Sequence, residues 1–409
     1  MRRRDLLRIT SGAALAPMLG TVRLARAESE APRRLVVVML RGAVDGLNVV
    51  VPYAEQAYYD ARPTIAIAKP GSENGALPLD DRFALHPALA ALMPLWNEKK
   101  LAFIHAAGSP DPTRSHFDAQ QFIENGTPGR QTTPDGWMNR ALAALPGTRA
   151  PTDAVSIGPT LPFILRGSVA VANLPLGPNA AQPMAIDRPE IASAFDKLYA
   201  GSDKQSVAYR QGRDARTQIV ADMASDEQKM ADNGAPPANA LPAMAARLAG
   251  MMTRDRHIRL AFASLGGWDT HVNQGNHDGQ LANRLKPLGE GLATFATALG
   301  NDWNDTVVVV VSEFGRTVRE NGNRGTDHGH GNVIWLLGGK VNGGKIYGDW
   351  PGLADAQLYQ GRDLAVTTDF RHPLATVLER HLHLPDPVMA KIFPGMPAPR
   401  RDLAQIFAA

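Results

Sequence analysis

The sequence predicts a mixed α/β fold, a doubly wound and mostly parallel sheet that carries a helical insertion. Two observations predict it. Short continuous apolar runs rich in β-branched residues recur along the chain, as in strands buried on both faces. Helical patterns separate them, and that alternation is the signature of a sheet covered by helices on both sides.

The first run is Arg34–Leu40, ending at a Gly-rich turn; the second is Leu101–Ala107; the clearest is Thr306–Val311. Further strands are expected at Ala154–Ile157, Leu260–Leu265 and Val333–Leu337. Helical periodicity covers Pro87–Glu98, His116–Glu124, Gln280–Leu299 and Leu374–His383. From about 188 to 255 the chain turns polar and helical in period, with a break at Asn233-Gly234-Ala235-Pro236-Pro237. This stretch reads as a helical insertion on the sheet domain, serving either as a lid or as peripheral packing.

Charge is unevenly distributed. The 409 residues carry 43 Lys and Arg against 40 Asp and Glu. Six of those arginines, against one aspartate, fall within residues 1–27, so the remainder holds 37 basic and 39 acidic residues. Arg3-Arg4-Asp5-Leu6-Leu7-Arg8, a weakly apolar stretch and Ala25-Arg26-Ala27 together read as a twin-arginine signal with an A-x-A cleavage pattern. The expectation is an exported, periplasmic domain spanning 28–409, handled by the twin-arginine export machinery. No later segment has 18 uninterrupted apolar residues, so no stable membrane anchor is expected. A near-neutral domain with carboxylate-rich loops is also a poor partner for nucleic acid.

Cysteine is absent. That excludes disulfides, thiolate metal sites and cysteine nucleophiles, and it leaves His, Asp, Glu and Asn to hold any metal.

In open α/β sheets, functional groups gather beyond the carboxyl ends of the strands. Arg41-Gly42-Ala43-Val44-Asp45-Gly46 follows the first run, and Gly108-Ser109-Pro110-Asp111-Pro112-Thr113-Arg114-Ser115-His116 the second. Trp268-Asp269-Thr270-His271 follows Leu265, and Ser312-Glu313-Phe314-Gly315-Arg316 follows Val311. Thr326-Asp327-His328-Gly329-His330 precedes Val333. Carboxylates and imidazoles without sulfur suit one or two hard or borderline divalent ions, with zinc, manganese, calcium and magnesium all open. The ligand pool is Asp45, Asp269, His271, Glu313, Asp327, His328 and His330. Ser115, before a helical run, could be a nucleophile whose helix dipole favours an anionic substrate; it equally suits a helix cap. Asp45 before Gly46 equally suits a turn. Arg41 and Arg316 could neutralise substrate oxygens or simply orient a carboxylate.

These residues resemble those of exported bacterial proteins in a domain-of-unknown-function family of the alkaline phosphatase and sulfatase-like superfamily. The resemblance covers nearly all of 33–385. It implies a doubly wound sheet, two metal ions, a metal-binding Asp45 in the opening Asp-Gly, and Ser115 in the nucleophile's place. Asp269 and His271 are similar to the Asp and His pair of one metal site. "VVVVVSEFG" and "DHGHGNVIWLLGG" resemble the strand and the His-bearing loop that complete the constellation. Glu313-Phe314 stands where the superfamily has Asp-His, and with no Cys the route to formylglycine is closed. The expected activity is metal-dependent hydrolysis of small anionic esters, phosphate or phosphonate ahead of sulfate. The alternative is an exported binding or assembly protein that keeps the fold without turnover.

Overall fold

A computed structural model describes residues 32–147, 149–150, 152–174, 200–201, 231–398 and 400–407. The expected signal at 1–27 lies outside these residues, as does most of the expected insertion at 188–255.

Among the described residues nine strands form the central sheet: β1 (Arg34–Leu40), β2 (Leu101–Gly108), β3 (Ala154–Ile157), β4 (Ala172–Leu174), β5 (Leu260–Leu265), β6 (Thr306–Ser312), β7 (Asn332–Gly338), β8 (Lys345–Tyr347) and β9 (Thr368–Asp369). Their order is β8-β2-β7-β6-β1-β5-β3-β4, with β9 also paired to β2. All pairings are parallel except those of β7, which runs antiparallel to both β2 and β6. The fold is therefore mixed α/β with a mostly parallel sheet.

Strand β1 shows why an unbroken apolar run is needed. Val36, Val38 and Leu40 enter one core layer, and Leu35, Val37 and Met39 the other, so neither face meets water. Four longer helices are α1 (His116–Asn125), α2 (Trp137–Ala144), α3 (Leu241–Arg254) and α4 (Gln280–Leu299). Helices α3 and α4 cover the first face through Leu248, Met252, Leu285, Leu288 and Leu292. On the other face lie α2, through Met138 and Leu142, and the C-terminal segments, through Leu378 and Ile392. The described end of the expected insertion, α3, is thus a core helix: Leu241, Met244, Ala245, Leu248, Ala249 and Met252 are all buried.

Two expected helices are interrupted. Pro87–Leu92 is a 3-10 helix followed by an α-turn at Met93–Asn97, and Arg371–Thr376 continues as a π-helical stretch, Val377–His381. None of the described helices is long and apolar enough to cross a membrane.

Register positions the site. Leu40 pairs with both Leu265 and Ser312, so β1, β5 and β6 end at one level. Asn332 pairs with Ala107, and because β7 runs the other way, its entry loop reaches the same edge. All five polar clusters therefore border one end of the sheet.

Candidate metal centre

Helix α1 begins where β2 has delivered the chain to that edge. Ser115 is its N-cap, the hydroxyl accepting from the Asp118 amide at 3.4 Å, and Gly126 ends it at a left-handed φ of 68°. His116 is its first residue, and the ring turns into the space between the β5, β6 and β7 loops.

There three imidazoles meet. His328 Nε2 lies 3.0 Å from His116 Nε2 and 3.0 Å from His271 Nε2. Asp269 joins them: Oδ1 is 3.0 Å from His271 Nε2 and 3.3 Å from His328 Nε2, and Oδ2 is 3.5 Å from His116 Nε2.

The far side of each ring explains what the near side can do. His116 Nδ1 donates to Glu313 Oε1 at 2.8 Å, His271 Nδ1 to Asp327 Oδ1 at 3.2 Å, and His328 Nδ1 to the Arg114 carbonyl at 3.0 Å. Each acceptor has only lone pairs to offer, so each Nδ1 carries a proton, and each ring, once its Nε2 is deprotonated, presents a lone pair inward. Lone pairs 3.0 Å apart repel unless a proton or a cation lies between them. Two nitrogen donors on one ion stand roughly 3 Å apart, and metal-binding histidines characteristically give their other N–H to a carboxylate or carbonyl. His116, His328 and Asp269 bring their ligand atoms within 4.8 Å of one another and fit a divalent ion, and His271 stands at the edge of that group, 3.0 Å from Asp269 and from His328.

Electrostatics agree. Burial opposes charge on His116, but Asp269 and Glu313 outweigh it and hold its pKa up at about 9. Burial opposes charge on Asp269 too, yet the three imidazoles and Arg316 hold its carboxyl far below the usual range. Burial pushes His328 down despite the Asp269 carboxylate.

Over residues 32–393 the sequence matches the DUF1501 family, described as proteins of unknown function. The chain belongs to DUF1501. No curated protein matches it. Among solved structures, this DUF1501 chain is similar to the PsFucS1 sulfatase from Pseudoalteromonas sp., at 11% identity and a TM-score of 0.44, covering 93% of this chain and 73% of that one. It is also similar to a TAB5 alkaline phosphatase mutant with magnesium bound, at 12% identity and a TM-score of 0.34, covering 89% and 98%. A protein of the alkaline phosphatase superfamily from Vibrio parahaemolyticus matches at 11% identity and a TM-score of 0.31, covering 78% and 62%.

Within the DUF1501 chain, the remaining candidate residues divide by what they touch. Glu313 is fully buried, and its Oε1 is saturated with donors. Oε1 accepts from Gly42 N at 2.7 Å, Gln120 Nε2 at 3.0 Å and His116 Nδ1, and Oε2 lies 2.9 Å from Ser312 Oγ. It orients a ligand instead of binding directly. Asp327 does the same for His271 and is itself held by Asn321 Nδ2 at 3.0 Å.

Asp45 does not reach the cluster. It forms a buried ion pair with Arg62, at 2.6 and 3.0 Å, and accepts from Gln274 Nε2 at 2.7 Å. His330 turns away and packs on Tyr359, ring centres 4.5 Å apart. Arg316 is buried and donates to the carbonyls of Gly42, Ala43, Trp268 and Thr326 as well as to Asp269, so it ties three loops together. Arg41 is buried against Gln120 and Glu124. Two glycines let the loops close: a Cβ on Gly315 would stand 1.8 Å from the Gly331 carbonyl oxygen, and one on Gly329 2.4 Å from the Arg316 carbonyl carbon.

His116 is the member of the cluster that the sequence pool lacks. Its signal was its place at the close of the polar stretch after β2, directly beside Ser115.

Proposed function

We propose that this DUF1501 chain is an exported metal-dependent hydrolase of small anionic esters, phosphate or phosphonate ahead of sulfate. One observation carries the reading: three imidazoles and one carboxylate converge, and each ring is locked from behind into the tautomer that binds a cation. Imidazole nitrogen donors favour a borderline transition ion such as zinc over calcium or magnesium, which prefer all-oxygen sites. Asp45 is neutralised by Arg62, and Glu313 turns its saturated Oε1 toward His116, which supports one ion and not two. When bound, the ion supplies Lewis-acid stabilisation of the ester's charged oxygens.

Ser115 is the proposed nucleophile. Both its chain neighbours touch the cluster, Arg114 through its carbonyl on His328 and His116 as a ligand. A bond from Ser115 Oγ to phosphorus forms as the bond to the leaving alcohol breaks, and the serine proton ends on that alcohol. Water then releases the phosphate and restores the hydroxyl. Arg316 keeps Asp269 ionised and in place.

Metal content and turnover test this together. Purified protein should carry about one equivalent of divalent ion, His328→Ala should lose it, and Ser115→Ala should keep the ion while losing hydrolysis of p-nitrophenyl phosphate. Full metal content without turnover of any phosphate or sulfate ester would overturn the hydrolase reading in favour of a binding protein. Turnover retained in Ser115→Ala would reassign attack to water.

A further inference from the structure

Among the described residues, the exposed large apolar side chains are Phe117, 78% exposed, and Val272, 48% exposed. Each directly follows an imidazole of the cluster, His116 and His271.

Phe117 also forms one wall of a cavity of about 370 Å³ beyond the ends of β1, β3 and β5, within the size range of small-molecule sites. Pro159, Pro162 and Phe163 line it from the loop after β3, and Arg166 stands at its side. Its polar floor is Arg41, bound to Gln120 Oε1 at 2.5 Å and Glu124 Oε1 at 2.7 Å. Arg41 is 3% exposed, and its Nε is buried without a hydrogen-bond partner. Arg41 therefore serves as a fixed buried cation beneath the cavity, its terminal nitrogens already paired with Gln120 and Glu124. The cavity and the metal centre share a wall: Gln120 lines the cavity and donates to Glu313, which holds His116.

We infer that this cavity receives the leaving-alcohol part of the substrate, and that this part is an oxygen-bearing ring stacked on Phe117. An aromatic platform, rigid prolines and a second aromatic suit a flat or chair-shaped ring, and Arg166 suits oxygens on its edge. The preferred esters are then those of ring alcohols, such as aryl or sugar phosphates, and not of short-chain alcohols. The inference rests on the hydrolase reading for its chemistry, but its binding does not.

Two measurements separate the two. Phenyl β-D-glucoside, a neutral ring with no ester to hydrolyse, should show saturation-transfer NMR signals with the full chain, and Phe117→Ala should weaken its binding about tenfold. In parallel, the kcat/KM ratio of phenyl phosphate to methyl phosphate should fall about tenfold in Phe117→Ala. Phe117 is largely exposed, so its removal leaves the core intact. Ring binding without turnover of either ester sinks the hydrolase reading and leaves the cavity assignment standing. Turnover with no glucoside binding, or with a phenyl-to-methyl ratio unchanged in Phe117→Ala, overturns the cavity assignment alone.

Discussion

Replacing Glu313 by Gln tests the centre at its most specific point. The carboxylate accepts three hydrogen bonds on Oε1, from Gly42, Gln120 and His116, and has Ser312 Oγ on Oε2. A glutamine can keep its oxygen at the Oε1 position and retain all three donors. Its amide would face Ser312, whose hydroxyl can instead donate to the Leu40 carbonyl, 2.6 Å away. The substitution therefore removes charge and little else. The His116 bond changes from charge-assisted to neutral, a loss of about 1–2 kcal/mol from a bond worth roughly twice its neutral counterpart. Metal affinity should fall about 5- to 30-fold while stoichiometry stays the same. Competition against a chromophoric chelator reads the affinity, and elemental analysis reads the stoichiometry. Unchanged affinity would show that His116 is not a ligand oriented by Glu313. Loss of a whole equivalent of ion would make Glu313 a direct ligand.

Arg62→Met leaves the Asp45 carboxylate buried without its partner and should destabilise the chain by about 3–5 kcal/mol, read by urea unfolding. Restoration of stability in the double variant Asp45→Asn with Arg62→Met is expected; no effect of the single change would mean that Asp45 is solvated. Burial holds His86 and His105 down at about 4, and each Nδ1 accepts a backbone N–H. The unfolded chain takes up these protons below about 6.5, so stability is full above that pH and declines as pH falls toward 4, by on the order of 3 kcal/mol per residue. A His105→Gln variant should show a shallower decline between pH 6.5 and 4, and an identical slope would refute the assignment. Gly315→Ala should force the β6 and β7 loops apart and lower bound metal, measured on the soluble fraction.

The sheet was legible because burial on both faces leaves a visible mark: the runs at Arg34–Leu40 and Thr306–Val311 became β1 and β6. An apolar run has no direction, so the reversal of β7 could not be read, although the run itself could. The site was legible by segment more than by residue. Polar clusters after strands brought Asp269, His271 and His328 together, because strand ends at one level collect their loops. The same reasoning took in Asp45 and His330. What removed them from the cluster is tertiary, Arg62 arriving from the end of the short helix Gln56–Ala61 and Tyr359 from a loop, and neither partner is visible in a local pattern. His116 escaped for the converse reason: a histidine opening a helix looks ordinary until Glu313 and His328, about two hundred residues away, are beside it.

The four proposed ligands come from three loops hung on β2, β5 and β7, whose common level exists only when β1 and β6 are paired between them. No fragment of the chain holds the set. An ion bound there would report on the whole sheet at once, and its release during heating should coincide with the loss of global structure and not precede it. Metal retention would then serve as a built-in gauge of whether the domain has finished folding, readable without any substrate.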